Sequence, residues 1–318
     1  MDRRHLMLSA GAAVLAACSR KPVGPTSAPK ITEGYADVPG GKVWWRKVGE
    51  GARTPLLTLH GGPGAAHNYL NPLEALSDQR PVILYDQLGC GKSDIPNDPS
   101  LWTIGRFCDE IDALRSALGL SEIVLLGHSW GGWLAIEYMT SRAAPKVEAL
   151  ILSSTSASTR QAAEGMRRLV NALPNGAGAR IAALEKAGQT AGKEYQDLSN
   201  LFMSQHLFRG ASMPPDGEAS LAALNKSPVY PTMNGPSEWE IVGNLKAWDR
   251  SADLGKIKVP TLITQGEFDE VTPDCSETLH RGIAGSRVET IKAASHLYTL
   301  EQPVAYNRLV RDFLADKA

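Results

Sequence analysis

Ile123-Val124-Leu125-Leu126-Gly127-His128-Ser129-Trp130-Gly131-Gly132-Trp133-Leu134-Ala135-Ile136-Glu137-Tyr138-Met139 holds three signals in a row. Residues 123–126 form a short, continuous apolar run, which suits a strand buried on both faces of a sheet. Residues 133–139 are apolar on nearly every side and read as a buried helix. Between them lies a Gly-x-Ser-x-Gly pentapeptide. Its glycines fit a tight strand-to-helix turn, where side chains would strike the facing backbone, and the turn holds the Ser129 hydroxyl outward. The pentapeptide alone is a weak signal. The strand running into it and the helix leaving it are the context it needs.

Working outward, a stretch rich in β-formers at 42–48, short apolar runs at 56–60, 82–86, 147–153 and 261–265, and a strand-like 288–291 read as strands. Helical spacing recurs between them. Ile104, Phe107, Ile111, Leu114 and Leu118 share one stripe, and residues 304–314 repeat the pattern. This alternation predicts an α/β fold, a mostly parallel sheet with helices on both faces. It breaks between about 156 and 250. There, helical patches at 162–173 and 195–208 are punctuated by turn-formers such as Pro174-Asn175-Gly176 and Pro214-Pro215. The expected organisation is a core of 31–155 and 251–318, with a mostly helical cap at 156–250 over the carboxyl ends of the strands, where crevices form in open α/β sheets.

Composition narrows the partners. The chain of 318 residues is 43% hydrophobic and 21% charged, ordinary globular values that exclude disorder and coiled coil. Its 33 basic and 34 acidic residues nearly cancel, so nucleic acid is not an expected partner, because phosphate binding needs a concentrated positive face. Four cysteines do not make a disulfide scaffold, and no Cys-x-x-Cys or His-Glu-x-x-His run suggests a metal. Neither a metal nor a cofactor is expected.

The N-terminus reads as an address. Arg3-Arg4 precedes an uncharged run from Leu6 to Ala17, too short to span a bilayer but laid out as a secretory signal. It ends in Leu15-Ala16-Ala17-Cys18, which resembles the lipobox of bacterial lipoproteins, and Arg3-Arg4 also resembles a twin-arginine export signal. The resemblance implies a signal peptide over 1–17 and a diacylglyceryl group on Cys18. It also implies a membrane anchor and an exported protein of the periplasm or cell envelope. The alternative is a plain cleaved signal in which Cys18 is incidental. Residues 18–30, with three prolines and small polar residues, read as a flexible tether. Cys90, Cys108 and Cys275 remain, enough for one disulfide at most.

Chemistry gathers around the serine. His60-Gly61-Gly62-Pro63-Gly64 follows a strand. Acyl transfer needs backbone N–H donors where the carbonyl oxygen becomes negative, and the candidates are the N–H groups of Gly62 and Trp130. A serine hydroxyl needs a base, and the base needs a carboxylate to hold its tautomer. Downstream, at strand ends and in the order Ser, acid, His, stand Glu267, Asp269 or Glu270 and then His296. His280 competes as the base but sits in a helical pattern.

The chain resembles the proline iminopeptidases of the α/β-hydrolase superfamily, including the tricorn-interacting aminopeptidases. The matching pieces are His60-Gly61-Gly62-Pro63-Gly64, Tyr85-Asp86-Gln87-Leu88-Gly89-Cys90-Gly91-Lys92-Ser93 and Gly127-His128-Ser129-Trp130-Gly131-Gly132. Met233-Asn234-Gly235-Pro236-Ser237-Glu238, Gly266-Glu267-Phe268-Asp269-Glu270-Val271-Thr272-Pro273 and Ser295-His296-Leu297 also match. The resemblance implies an α/β-hydrolase fold and a triad of Ser129, Asp269 and His296. It implies Glu238 as a carboxylate for the substrate amine, since an ammonium in a closed cleft needs a charged partner. A second acid in the cap is common in that family; none aligns near His206, and Glu218 is a possible substitute. The implied partners are short peptides, or amino-acid amides, with a free N-terminus. The implied activity is release of an N-terminal proline or other small apolar residue by a serine exopeptidase. The alternatives are an amidase or esterase acting on substrates such as proline amide, and a non-catalytic anchored binding protein. Trp102, Phe202, Tyr230 and Trp239 are candidates for the pocket wall or for ordinary packing. Asp86 and Cys90 are expected to be structural.

Overall fold

The computed structural model describes residues 28–315. Strands β1 (Ile31–Val38), β2 (Gly41–Val48), β3 (Leu56–Leu59), β4 (Val82–Tyr85), β5 (Ile123–His128), β6 (Val147–Ser153), β7 (Thr261–Gly266) and β8 (Arg287–Ile291) form one sheet. Its order is β1-β2-β4-β3-β5-β6-β7-β8. β1 and β2 are antiparallel to their neighbours, and from β4 onward the pairing is parallel. Every residue of β3, β4, β5 and β7 is buried, which explains their continuous apolar sequence.

Alternate side chains of these strands feed two cores. Leu57, Leu59 and Leu125 face α1 (Ile104–Leu118) and α2 (Trp130–Ser141). Leu56, Val124 and Leu126 face a 3-10 segment (His67–Asp78) and the C-terminal helices. Truncating one such leucine to alanine costs about 2–5 kcal/mol, because the close-packed core collapses only partly into the space. α1 starts where the Thr103 hydroxyl accepts from the Arg106 N–H and ends at Gly119, whose φ of 66° is the left-handed cap that glycine adopts freely.

Between β6 and β7 the chain adds α3 (Thr159–Asn171), α4 (Ala177–Lys186), α5 (Lys193–His206), α6 (Pro215–Leu224) and α7 (Val229–Met233). Two of these match the helical patches read from sequence. α4 and α6 were hidden by the turn-formers beside them: Asn175 and Gly176 turn the chain at positive φ into α4, and Pro215 occupies the first turn of α6. α8 (Pro273–Gly282), α9 (Tyr298–Glu301) and α10 (Pro303–Ala315) complete the chain. Cys90, Cys108 and Cys275 are buried free thiols, so the disulfide allowed by the sequence does not form among them. No helix among the described residues is long and apolar enough to cross a membrane. The signal, Cys18 and most of the tether lie outside the described residues.

Candidate active site

Ser129 sits between β5 and α2 with φ 56° and ψ −124°, a conformation that a non-glycine residue holds only when its surroundings enforce it. The flanking glycines show the enforcement. A Cβ on Gly127 would lie 2.2 Å from the Gly131 oxygen, and one on Gly131 would lie 2.0 Å from the Leu59 oxygen. Gly132 packs as closely on Thr155, whose hydroxyl donates to the Ser129 carbonyl. The motif is thus a packing requirement as well as a chemical one.

The loop after β3 lies against the serine: a Cβ on Gly61 would stand 3.0 Å from the Ser129 Cβ. Gly62 holds φ 114°, and both Gly61 and Gly62 line the cavity that Ser129 borders. Gln87 ties this loop to the helix after the serine. Its Nε2 donates to the His60 carbonyl at 2.9 Å, and its Oε1 accepts from the Trp130 indole at 2.8 Å. The Gln87 N–H donates to His60 Nε2 at 3.0 Å.

Asp269 and His296 meet after β7 and β8. His296 Nδ1 lies 2.8 Å from Asp269 Oδ1. Asp269 also accepts from the Ser154 hydroxyl and from the N–H groups of Gly266 and Val271. Burial pushes its carboxyl up, but His296 and these donors prevail and hold it below the usual aspartate range. An ionised Asp269 fixes the proton on Nδ1 and turns Nε2 toward the cavity, where His296 and Ser129 are both lining residues. Glu267 is exposed and accepts from the Ala293 N–H. His280 is exposed and pairs with Ser286, and neither residue lines this cavity.

Two carboxylates share the cavity with the serine and the imidazole. Glu238 is one, and Glu270 is the other. Glu270 Oε1 is 3.5 Å from His296 Nε2, the nitrogen opposite Asp269. Its Oε2 is buried with no hydrogen-bond partner among the described residues. Burial raises the Glu270 carboxyl, and Glu238 and Asp269 add to the rise against the pull of His296. Burial raises Glu238 as well, opposed by the Tyr230 hydroxyl and by His296. Two buried carboxyl groups on one cavity, both raised by burial, are suited to a cationic group, whose charge favours their ionised forms.

Sequence reading weighed Glu270 only as a rival to Asp269 and sought the second acid in the inserted helices. Glu218 is exposed on α6 and does not line the cavity. The adjacency of Glu270 to Asp269, in a loop leaving a buried strand, was the available signal. None of the four aromatic candidates lines this cavity, although the Tyr230 hydroxyl acts on Glu238, which does. Trp102 fills space beside Gly89, while Phe202 stacks edge-on against Trp239 at 4.9 Å. The apolar lining comes instead from Met203 and Leu207 of the α5 end, Leu221 and Leu224 of α6, and Leu297.

The family model described as alpha/beta hydrolase fold matches residues 54–303. The proline iminopeptidase of Saccharolobus solfataricus is 39% identical over 287 residues, covering 89% of this chain and 92% of that one. The chain belongs to the proline iminopeptidase family of α/β-hydrolases. A proline iminopeptidase of Heyndrickxia coagulans is 38% identical over 89% of this chain and 98% of its own. Among solved structures, the Mycobacterium smegmatis proline iminopeptidase superposes with a TM-score of 0.84 at 33% identity, covering 90% of this chain and 98% of that one. VinJ superposes at 0.86 with 31% identity, covering 90% and 99%. For a proline iminopeptidase relative, a cavity joining a strained serine, an Asp-held imidazole and two acids can do acyl transfer on a cationic substrate.

Proposed function

We propose that this chain is a serine exopeptidase that releases an N-terminal proline, or another small apolar residue, from short peptides. The observation that carries the proposal is the placement of Glu238 and Glu270 on the same cavity as Ser129 and His296. In this scheme the two carboxylates hold the substrate ammonium and so place the first carbonyl carbon at the serine. Ser129 Oγ attacks that carbon while His296 Nε2 takes its proton. The N–H groups of Gly62 and Trp130 hold the oxyanion. The C–N bond breaks as His296 returns the proton to the leaving amine. Water, deprotonated by the same imidazole, then releases the amino acid from Ser129. Asp269 orients His296 and stabilises its charged form. The scheme uses no metal or cofactor.

In this reading residues 156–250 act as a cap, with α5 and α6 walling the first-residue pocket. The resemblance to tricorn-interacting aminopeptidases would favour short peptides as substrates. The test compares proline p-nitroanilide, proline amide and an N-acetylated control. Hydrolysis of the anilide that is lost on acetylation is the expected result. Equal turnover of the acetylated substrate would remove the amine-recognition reading, and turnover of the amide alone would make the chain an amidase. Labelling by a fluorophosphonate that disappears in Ser129→Ala separates an enzyme from a binding protein with the same fold.

The sequence supports a location as well. Arg3-Arg4, the apolar run and Leu15-Ala16-Ala17-Cys18 fit export and lipidation at Cys18, which would tether the domain to the cell envelope. Incorporation of labelled palmitate that Cys18→Ser abolishes is the expected result. A soluble, unlabelled mature chain would refute the anchor.

A further inference from the structure

His128, the residue before the serine, is fully buried and stands at the centre of a chain of hydrogen bonds that the acyl-transfer scheme does not use. His128 Nε2 lies 2.9 Å from the backbone carbonyl oxygen of His296. His128 Nδ1 lies 3.0 Å from the Tyr69 hydroxyl. The Gly61 N–H donates to that same hydroxyl at 2.7 Å.

The direction of every bond in the chain follows from chemistry. A carbonyl oxygen only accepts, so Nε2 carries the proton. Burial, helped by the charge of His296, pushes the His128 imidazole down to about 3, so the ring is neutral and Nδ1 is a bare acceptor. Tyr69 must then donate to Nδ1, which leaves its oxygen to accept from Gly61. One proton arrangement satisfies all the groups.

The chain connects the moving parts of the reaction. Gly61 belongs to the loop that offers the Gly62 N–H, His128 precedes the serine, and the His296 carbonyl belongs to the base. The His296 backbone is held from the other side too, since its N–H donates to the His206 carbonyl at 3.0 Å. The His128 and His296 rings are 4.7 Å apart, so a His128 that charged would oppose the imidazolium formed during catalysis. We infer that Tyr69 and His128 are positioning residues that set the oxyanion loop, the serine turn and the His296 backbone in register for the transition state. The inference rests on the roles proposed for Ser129 and His296.

The test measures kcat and KM on proline p-nitroanilide for Tyr69→Phe, His128→Leu, His128→Gln and the Tyr69→Phe/His128→Leu pair. Thermal unfolding and fluorophosphonate labelling are followed alongside. Tyr69→Phe and His128→Leu should each lower kcat roughly 10-fold or more with KM within about twofold, the pattern of an interaction realised in the transition state. Glutamine offers one donor and one acceptor at similar reach, so His128→Gln should keep kcat within about threefold of the parent. The double variant should be no worse than the poorer single, because both break one chain. Full kcat in folded Tyr69→Phe, a loss confined to KM, or a His128→Gln as poor as His128→Leu would each overturn the inference. If His128→Leu does not fold, Tyr69→Phe and His128→Gln decide by the same criteria. Hydrolysis that persists in Ser129→Ala would instead remove the serine scheme itself.

Discussion

His296 with Asp269 and His67 with Asp86 are two buried histidine–aspartate pairs of nearly the same geometry, with Nδ1 to Oδ1 distances of 2.8 and 2.7 Å. Both carboxylates are satisfied by backbone donors as well. Asp269 takes the Gly266 and Val271 N–H groups, and Asp86 takes those of His67 and Lys92. In both, burial pushes the carboxyl up and the paired imidazole pulls it below the ordinary aspartate value. The pairs differ in what else surrounds the ring. His296 borders a cavity with Ser129 and has Glu270 beside its Nε2. The His67 ring packs at 4.5 Å against Trp44, with the Lys92 ammonium 3.8 Å over that indole. A held imidazole is a structural clamp until a nucleophile and an unmatched charge stand on its free side.

The widest separation between the pairs should come from the same substitution made twice. Asp269→Asn should lower kcat by about 10⁴-fold, since the amide no longer fixes the tautomer or stabilises the charged ring. Asp86→Asn breaks a buried pair instead and should lower stability by about 3 kcal/mol, with kcat per folded molecule nearly unchanged. Steady-state kinetics and denaturant unfolding on both variants make the check. Comparable kinetic losses in the two would dissolve the distinction.

The two pairs were unequally legible in the sequence. The serine turn and the strand ends carrying Asp269 and His296 could be read because local rules fix them: Gly131 has no room for a side chain, and buried strands show as apolar runs. The His67–Asp86 pair and the Tyr69–His128 chain could not. They join a 3-10 segment to a strand end and to the serine turn, and no periodicity records which polar side chains face each other across a core. Glu270 was visible but was read only as a rival to Asp269. Its neighbour Asp269 has the same charge, and only the ring orientation shows that one acid faces Nδ1 and the other Nε2. α4 and α6 escaped for a simpler reason, because turn-forming residues at their starts masked short helical patterns.

Next in size is the cost of losing either free-side acid. Glu238→Gln and Glu270→Gln should each lower kcat/KM on proline p-nitroanilide roughly 10- to 100-fold, the worth of a charge-assisted contact to the ammonium. Glu218→Gln, on an exposed face, should change it less than about twofold. A Glu218 effect equal to the others would return the second acid to the inserted helices.

The free-side acids also set the pH response. Burial alone would lower the His296 pKa, but Glu270, Asp269 and Glu238 outweigh it and raise the imidazole above its ordinary value. In the proposed scheme His296 must be neutral to accept the Ser129 proton, so kcat/KM, which reports the free enzyme, should fall as pH drops through this raised value. Removing the Glu270 charge should move that acid limb to lower pH by roughly one unit. An unmoved limb would show that Glu270 does not act on the imidazole. Asp86→Asn, lying outside this cluster, should leave the limb in place.

The smallest effect tests the other pair's surroundings. Lys92 is exposed, and its ammonium over Trp44 is the outermost layer of the stack that ends in His67. A cation over an indole at an exposed site stabilises by about 0.5–1 kcal/mol. Lys92→Met keeps most of the apolar stem and removes the charge, so the melting temperature should fall by no more than about 2–4 °C, with kcat, KM and the acid limb unmoved. Because the Lys92 N–H also donates to Asp86 through the backbone, the substitution preserves that bond and isolates the ring contact. A kinetic change in Lys92→Met would mean that the His67–Asp86 clamp communicates with the serine, and the separation between the two pairs would then be one of degree.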